Sequence, residues 1–503
     1  MVSIYYAHPK FMYGTKHEEK EIETIAKHFQ GAKITNPANV KFSHRKRMSV
    51  YAYYASLHDI IVYRPVVGRF ITAGVYEEVE AGVWKGAKIV RISEKGNAII
   101  LEEVSKVRDY PLTPKESNLI AKVLRFESEQ RLIEEISDLR SRYRLTPRSA
   151  LILVCTRILA KLLRKNWVEV LQKFMGGPRN IPKHWLRIIK MEKARTKILE
   201  MMLATKDVAI KLILHACLKF IDSLELKSKL MKGKYNLLPE RVLAYYYAIR
   251  LREEGLSYEK IAREIWGAFG IKVSSGEVCN WIRGRYNPLR RCGCINDCPD
   301  LGYVIAAWLG DGSLAVDRKA FKYYVELATT KYEFAREWGK RLAKVTGKSE
   351  GYKPRWDKCN KRWVVRASNI FLWMILSLAR EDPWFVYPIL ERYPGPACRG
   401  WFDAEGSVSI SGYKIVGTNT DLRQIRLIQE LLHKLSINSK YYPRSDEGTE
   451  FKSPRSGNIS KRRRTNYDLV IYGRENQLKY RKFIGFSLSD KKRKLDSLLG
   501  DTT

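Results

Sequence analysis

Apolar positions along this chain change their spacing from region to region. Near the N-terminus they form short runs: Val2-Ser-Ile-Tyr-Tyr-Ala, Asp59-Ile-Ile-Val-Tyr63 and Ala87-Lys-Ile-Val-Arg-Ile92 read as buried strands. Glu18 to Phe29 carries Ile22, Ile25, Ala26 and Phe29 on one face and reads as a helix, as does Val75 to Trp84. The pattern predicts an open α/β sheet over residues 1–110. From Ser117 to Met231 the spacing turns helical, with Leu119, Val123, Leu124 and Phe126 followed by Leu132, Ile133, Ile136 and Leu139. Pro147 and Gly176-Gly177-Pro178 interrupt it, so residues 111–235 are expected to be a helical spacer. Arg241 to Glu253, Tyr258 to Phe269 and Ser274 to Arg283 then predict three short helices within 236–298, with Ser257 and Ser274 or Ser275 as N-caps.

Beyond residue 299 the pattern occurs twice. Val304-Ile-Ala-Ala-Trp-Leu-Gly-Asp-Gly312 and Cys398-Arg-Gly-Trp-Phe-Asp-Ala-Glu-Gly406 are apolar helical segments ending in an acid, a glycine and a serine. Their acids, Asp311 and Glu405, lie 405 − 311 = 94 residues apart. Ala306, Ala307, Gly310, Gly400 and Ala404 permit close backbone approach, and the terminal glycines are expected to end each helix with a positive φ. A carboxylate at a helix C-terminus is electrostatically disfavoured. Two of them brought together make sense around a divalent cation, which takes oxygen ligands. One such segment alone reads as an amphipathic core helix. The pair differs, because each copy is followed by the same order: Tyr323–Lys331, a helix and Lys361–Ala367, then Lys414–Asn419, a helix and Tyr467–Tyr472.

Composition narrows the partner. Lys+Arg 92 against Asp+Glu 54 gives a formal charge of +38, spread along the chain, which points to a polyanion, nucleic acid first. A hydrophobic content of 45% argues for a folded chain. Eight cysteines in 503 residues are too sparse for a disulfide scaffold, and no apolar leader precedes a small-residue cleavage site. Ala150 to Leu163, the most apolar run, is too short to span a bilayer. A cytoplasmic protein with no membrane partner is expected.

The two motifs and their spacing resemble the LAGLIDADG homing endonucleases in their single-chain, two-motif form. That resemblance implies two pseudo-twofold αββαββα repeats, about 299–390 and 391–503, whose sheets form a saddle over the DNA major groove. It implies that Asp311 and Glu405 bind Mg²⁺, which polarises the scissile phosphates and helps activate water, with one acid serving each strand. Relatives carry a lysine at the end of the strand after the motif, which places Lys331 in the catalytic set. Aligning Thr330-Lys331 with Thr418-Asn419 puts Asn419 at the second such position, with Lys414 as a substitute. Lys322, Tyr324, Glu326, Arg355, Arg362, Arg366, Tyr413 and Lys414 are candidates for DNA contact. Arg462 and Arg463, in Lys461-Arg-Arg-Arg464, are candidates for gripping phosphate, although the same loop also reads as a solvated basic turn.

Gly255-Leu-Ser-Tyr-Glu-Lys-Ile-Ala-Arg-Glu-Ile265 with Gly270 to Ile282 resembles a helix-turn-helix; a plain three-helix bundle is the alternative. Ser275, Asn280 and Arg283 would face bases from the third helix, with Ser274 and Glu277 beside them. Val278 and Ile282 would pack inward, and Trp281 to Pro288, including Arg285, would run along phosphate as a basic connector. Cys292, Cys294 and Cys298, with Cys279, number enough for a zinc ion, but paired Cys-x₂-Cys knuckles are absent and unligated thiols are expected. At the N-terminus, Tyr6-Ala-His-Pro9, Asn36-Pro37, Asp59 and Gly74 to Gly82 resemble the nucleoside 2-deoxyribosyltransferase superfamily. Its Glu-x-x-x-Ala spacing maps onto Glu77 and Ala81 and makes Glu77 the candidate nucleophile. Glu77, Glu78 and Glu80 also read as a solvated helix face.

The expectation is a multidomain α/β and α protein. It comprises an α/β domain at 1–110, a helical spacer at 111–235, a helix-turn-helix region with basic linker at 236–298 and a two-repeat endonuclease domain at 299–503. It is expected to act as a monomeric, Mg²⁺-dependent, site-specific DNA endonuclease that makes double-strand breaks with short 3′ overhangs. The alternatives are a noncatalytic DNA-binding regulator or RNA maturase on the same fold, or a nucleoside-processing enzyme in the N-terminal domain. Met1 is followed by no splicing residue and Gly-Asp-Thr-Thr503 lacks a terminal His-Asn, so a free-standing or intron-encoded protein is expected in place of an intein.

Overall fold

The computed structural model describes residues 2–40, 48–95, 98–231, 237–289, 293–320, 322–452, 459–461 and 463–500. The chain divides into two compact units, Met1–Ile189 and Lys190–Thr503, so the helical stretch after residue 111 is shared between them.

In the first unit, Ser3–Ala7, Lys33–Thr35, Ile60–Tyr63 and Lys88–Lys95 run parallel, and Ala98–Glu103 adds an antiparallel edge. The spatial order places Lys33–Thr35 outermost, then Ser3–Ala7, Ile60–Tyr63, Lys88–Lys95 and Ala98–Glu103. Ile60–Tyr63 is buried at every position, as expected of a central parallel strand covered on both faces. Helices Lys16–His28 and Ala73–Trp84 supply the cover. A second apolar cluster joins Val66, Phe70 and Leu112 to the helices between Pro114 and Ile189.

In the second unit, helices Leu238–Glu253, Tyr258–Phe269 and Ser275–Ile282 share one core with everything that follows. Ser257 caps the second of these helices, and Ser274 with Glu277 forms a capping box on the third. After them come two repeats of one plan. Helix Pro299–Asp311 leads into an antiparallel sheet ordered Arg355–Asp357, Arg362–Ser368, Lys322–Thr329, Gly312–Asp317. Helix Pro394–Glu405 leads into the mirror order Gly406–Ser409, Lys414–Asn419, Asn466–Tyr472, Lys440–Ser445. No helix among the described residues is long and apolar enough to cross a membrane.

The expected positive φ at the two motif glycines is not found. Gly312 and Gly406 are both extended, at φ −88°, and open the strands that follow. Glycine is needed there for space: a Cβ at 312 would lie 2.1 Å from the Trp308 ring, and one at 406 would lie 2.4 Å from the Phe402 carbonyl oxygen. The chain passes from helix directly to strand by crossing over its own last turn.

Candidate functional site

The two motif helices pack backbone to backbone. A Cβ on Gly400 would lie 2.3 Å from the Tyr303 carbonyl oxygen, and one on Gly310 would lie 2.7 Å from the Ala404 Cβ. The Tyr303 hydroxyl crosses between the helices and donates to Asp403 at 2.8 Å, and the Ser487 backbone N–H donates to the same carboxylate at 3.0 Å. Asp403 is thereby consumed in the core. The acids at the helix ends, Asp311 and Glu405, are the ones left facing outward.

Both sit where ionisation is costly. Burial pushes the Asp311 carboxyl up to about 6, against the pull of Lys491. Burial and then the charge of Asp311 push Glu405 up to about 7, opposed by a 2.9 Å hydrogen bond from the Asn419 amide and by Lys491. The two carboxyls therefore sense each other, and each lacks a bound cation close enough to keep it ionised at the usual carboxylate pH.

A recess of about 270 Å³ opens beside Asp311 and is lined also by Thr329, Thr330, Lys331, Arg362 and Lys491. A larger one, about 760 Å³, opens beside Glu405 and includes Arg380, Asn419, Asp421, Arg423 and Arg464. Each acid thus has its own basic recess. Lys491 is a residue that sequence reasoning missed: it lies in Asp-Lys-Lys-Arg-Lys, which reads as a solvated charge run. Its ammonium donates to the carbonyl oxygens of Phe402 at 3.0 Å and Asp403 at 2.7 Å, and burial lowers its pKa to about 8.

Strand register corrects the expected pairing of Lys331 with Asn419. Gly312 pairs with Leu327, and Gly406 pairs with Gly417, so equivalent strand positions differ by 417 − 327 = 90. Thr329 then corresponds to Asn419, and Lys331 to Asp421. The helices agree, for Lys331 is the N-cap residue of Tyr332–Val345 and Asp421 that of Leu422–Lys434. The charges at this corner are inverted. Lys331 forms an ion pair with Asp490, whereas Asp421 pairs with Arg423 at 2.8 Å.

The exposed face of the first sheet carries Lys322, Tyr324, Glu326, Arg362 and Arg366 at alternate positions, with Arg355 opposite Val364 on the edge strand. Arg366 lies over the Tyr324 ring at 4.9 Å and 3.6 Å from Glu326, while Arg362 lies 3.6 Å from Asp357. In the second sheet, Lys414 and Thr418 lie on the face opposite Ile415, Leu469 and Ile471, which are buried. Tyr413, Arg463 and Arg464 are exposed, and Arg462 lies outside the described residues.

In the third short helix, Ser275 is exposed, Asn280 half-buried, and Arg283 and Arg285 exposed. Ser274 and Glu277 bond each other in the capping box, which occupies the groups expected to face bases. Trp281, expected along phosphate, is instead buried and meets Tyr245 edge-on at 6.2 Å. Val278 is fully buried. Cys279, Cys294 and Cys298 are free thiols and form no converging group of metal ligands among the described residues; Cys292 lies outside them. Such a group does occur at His17, Glu21 and Glu94, but Arg64 lies 3.0 Å from Glu21 and 2.9 Å from Glu94 and supplies the positive charge there.

On helix Ala73–Trp84, Glu77 is exposed and its neighbour Glu78 is buried. Burial raises Glu78 to about 8, beside the hydroxyl of Tyr5, and its charge is felt by Tyr13 and Tyr51. One step of about 100° around the helix separates a solvated acid from an enclosed one.

Known proteins share parts of this chain. An uncharacterized protein of Methanocaldococcus jannaschii is 29% identical over 256 residues, covering 50% of this chain and 92% of the relative. Among solved structures, the homing endonuclease I-DmoI in complex with DNA and Mn is 16% identical over 38% of this chain and 97% of its own, with a TM-score of 0.27. Full-length DUF199/WhiA from Thermatoga maritima is 14% identical over 41% of this chain and 61% of its own, with a TM-score of 0.25. Structural similarity of that order does not extend to function. The family model described as a LAGLIDADG-like domain matches residues 398–485, the stretch that begins inside the second motif helix and contains Glu405. This chain therefore carries a LAGLIDADG-like domain over residues 398–485.

Proposed function

We propose that the protein is a metal-dependent endodeoxyribonuclease that hydrolyses one phosphodiester in each strand of a long, specific duplex site. The observation that carries this reading is the pair of enclosed carboxylates, Asp311 and Glu405, at the ends of two helices in contact, each opening onto its own basic recess. Their chemistry suits a hard divalent cation, Mg²⁺ first: oxygen donors, raised pKa values that a nearby cation would reverse, and few other ligands, which leaves room for phosphate oxygens and water. Such a cation, held by Asp311 and Glu405, would supply Lewis-acid polarisation of phosphate and an activated water.

The chain's own residues do the rest. Lys331, Arg362 and Lys491 concentrate positive charge beside Asp311, and Arg380, Arg423 and Arg464 do so beside Glu405, where the pentavalent phosphate gathers negative charge. The Asn419 amide holds Glu405 in one orientation. Lys322, Arg355, Arg362, Arg366 and Lys414 would meet bases or phosphates from the sheets. Ser275, Asn280, Arg283, Arg285, Arg462 and Arg463 would add contacts outside them. With both repeats in one chain, a monomer acting in the cytoplasm suffices.

Incubation with a randomised duplex library and Mg²⁺, followed by sequencing of the cut ends, tests the reading. Cutting at one long site, lost in Asp311→Ala and Glu405→Ala with binding retained, supports it. Tight binding with no cutting by the wild type would leave a regulator or an RNA maturase.

A second activity in the first unit is favoured by one observation, the enclosed carboxyl of Glu78 among tyrosines. Base release from a nucleoside that is lost in Glu78→Gln and kept in Glu77→Gln would establish it, and no release by the wild type would dismiss it.

A further inference from the structure

The last helix, Ser489–Leu499, follows the second repeat in sequence, yet its first three residues fasten onto the first repeat and the motif pair. The Ser489 backbone N–H donates to both Glu333 carboxylate oxygens at 3.1 Å, and its hydroxyl donates to one of them at 2.9 Å. Asp490 pairs with Lys331. Lys491 turns inward to the last-turn carbonyls of Phe402 and Asp403.

An ammonium has three N–H donors. Two of those on Lys491 are spent on the carbonyls, which fixes the nitrogen in place, and the third belongs to the recess that also holds Asp311, Thr330 and Lys331. A side chain present only to satisfy a helix end needs no acid, lysine and threonine around a shared cavity. Nor is a helix C-terminus a place from which a cation drifts, since the dipole holds it there. Among the described residues, no lysine lines the Glu405 recess, whose cations are arginines.

We propose that Lys491 contacts the scissile phosphate of the half-site served by Asp311, delivered there by the last helix of the other repeat. This rests on the endonuclease reading for its catalytic consequence but not for the contact itself. Cutting of the two strands then depends on different cations: one on an ammonium anchored by backbone carbonyls, the other on guanidinium groups at the recess edge.

Two measurements test this. The first is the salt dependence of binding to a short random-sequence duplex in Ca²⁺. Loss of one phosphate contact lowers the slope of log K against log salt by about 0.9, so Lys491→Met shows that fall and Lys491→Arg does not. An unchanged slope in Lys491→Met overturns the proposal. The second is strand-resolved cutting of the selected site, with Asp311→Asn defining which strand that acid serves. Lys491→Met lowers the turnover on that strand on the order of 10²-fold without raising KM, leaves the other strand unchanged, and is largely rescued in Lys491→Arg. Equal loss on both strands together with a lower Tm would reduce Lys491 to a helix cap and overturn the proposal. If the wild type cuts no duplex, the endonuclease reading falls, while the salt slope still decides whether Lys491 touches phosphate.

Discussion

The two repeats share strand order and helix caps, yet the corner beside each acid carries opposite charge. At the first, Lys331 reaches Asp490 and Glu333 receives Ser489; at the second, Asp421 holds Arg423, which donates to the Glu381 carbonyl oxygen. Each corner is thus tied to a late helix of the opposite repeat, by inverted pairs. The fold needs a tie at that place and is indifferent to its sign, whereas phosphate chemistry is not. The first recess can therefore draw a cation from its own corner, and the second takes its cations from Arg380, Arg423 and Arg464.

The largest expected effect breaks both halves. Asp311→Asn and Glu405→Gln each lower cutting on the order of 10²–10³-fold while duplex binding, measured by fluorescence anisotropy, stays within the wild-type range. Cutting unaffected by either substitution would mean that the motif acids are structural.

Next in size is packing between the motif helices. Gly400→Ala sets a Cβ against the Tyr303 backbone, which cannot yield, whereas Gly310→Ala meets Ala404 and the flexible Glu405. Overpacking costs about 1–3 kcal/mol, so Gly400→Ala falls at the upper end and Gly310→Ala at the lower in urea unfolding. The reverse ranking would show that the second helix has room to shift.

The pH dependence sharpens the comparison further. Both carboxyls are raised in the fold, Asp311 to about 6 and Glu405 to about 7. The protonated forms therefore favour the folded state. Their contribution is fully present below the unfolded values of about 4 and is lost as pH rises through 6 and 7. In a chelator the Tm falls between pH 5 and 8, and Mg²⁺ restores it most at the alkaline end. Asn419→Ala, which removes a bond that lowers Glu405, shifts the upper part of that fall to higher pH. A Tm independent of pH across this range would dismiss the raised pair.

The smallest effect concerns the ties themselves. Asp490→Asn breaks an exposed ion pair and costs under about 1 kcal/mol. It frees Lys331, so duplex binding at low salt tightens slightly. The equivalent change at the other corner, Asp421→Asn, keeps an N-cap oxygen and changes stability by a few tenths of a kcal/mol.

Much of this was legible in the residues. Gly310, Gly400 and Ala404 announced close helix contact, and Asp311 and Glu405 stood out because two apolar segments ended alike. The equivalence of Lys331 and Asp421 was hidden because the hairpins after the two motifs differ in length, so counting from Thr-Lys and Thr-Asn lands two residues out. Lys491 was hidden because a lysine turned inward and one in water share the same sequence signature. Glu78 was hidden behind Glu77 because adjacent helical positions are told apart only by what packs against them.

Periodicity, small residues and paired acids therefore determined the helices, the strands and the presence of two linked motifs, since these depend on local geometry and on burial of one face. Tertiary structure decided which strand positions are equivalent, which of two neighbouring acids is enclosed, and that a lysine from the last helix enters the first repeat's recess. Those depend on loop length and on contacts between residues far apart in the chain, which no local pattern encodes.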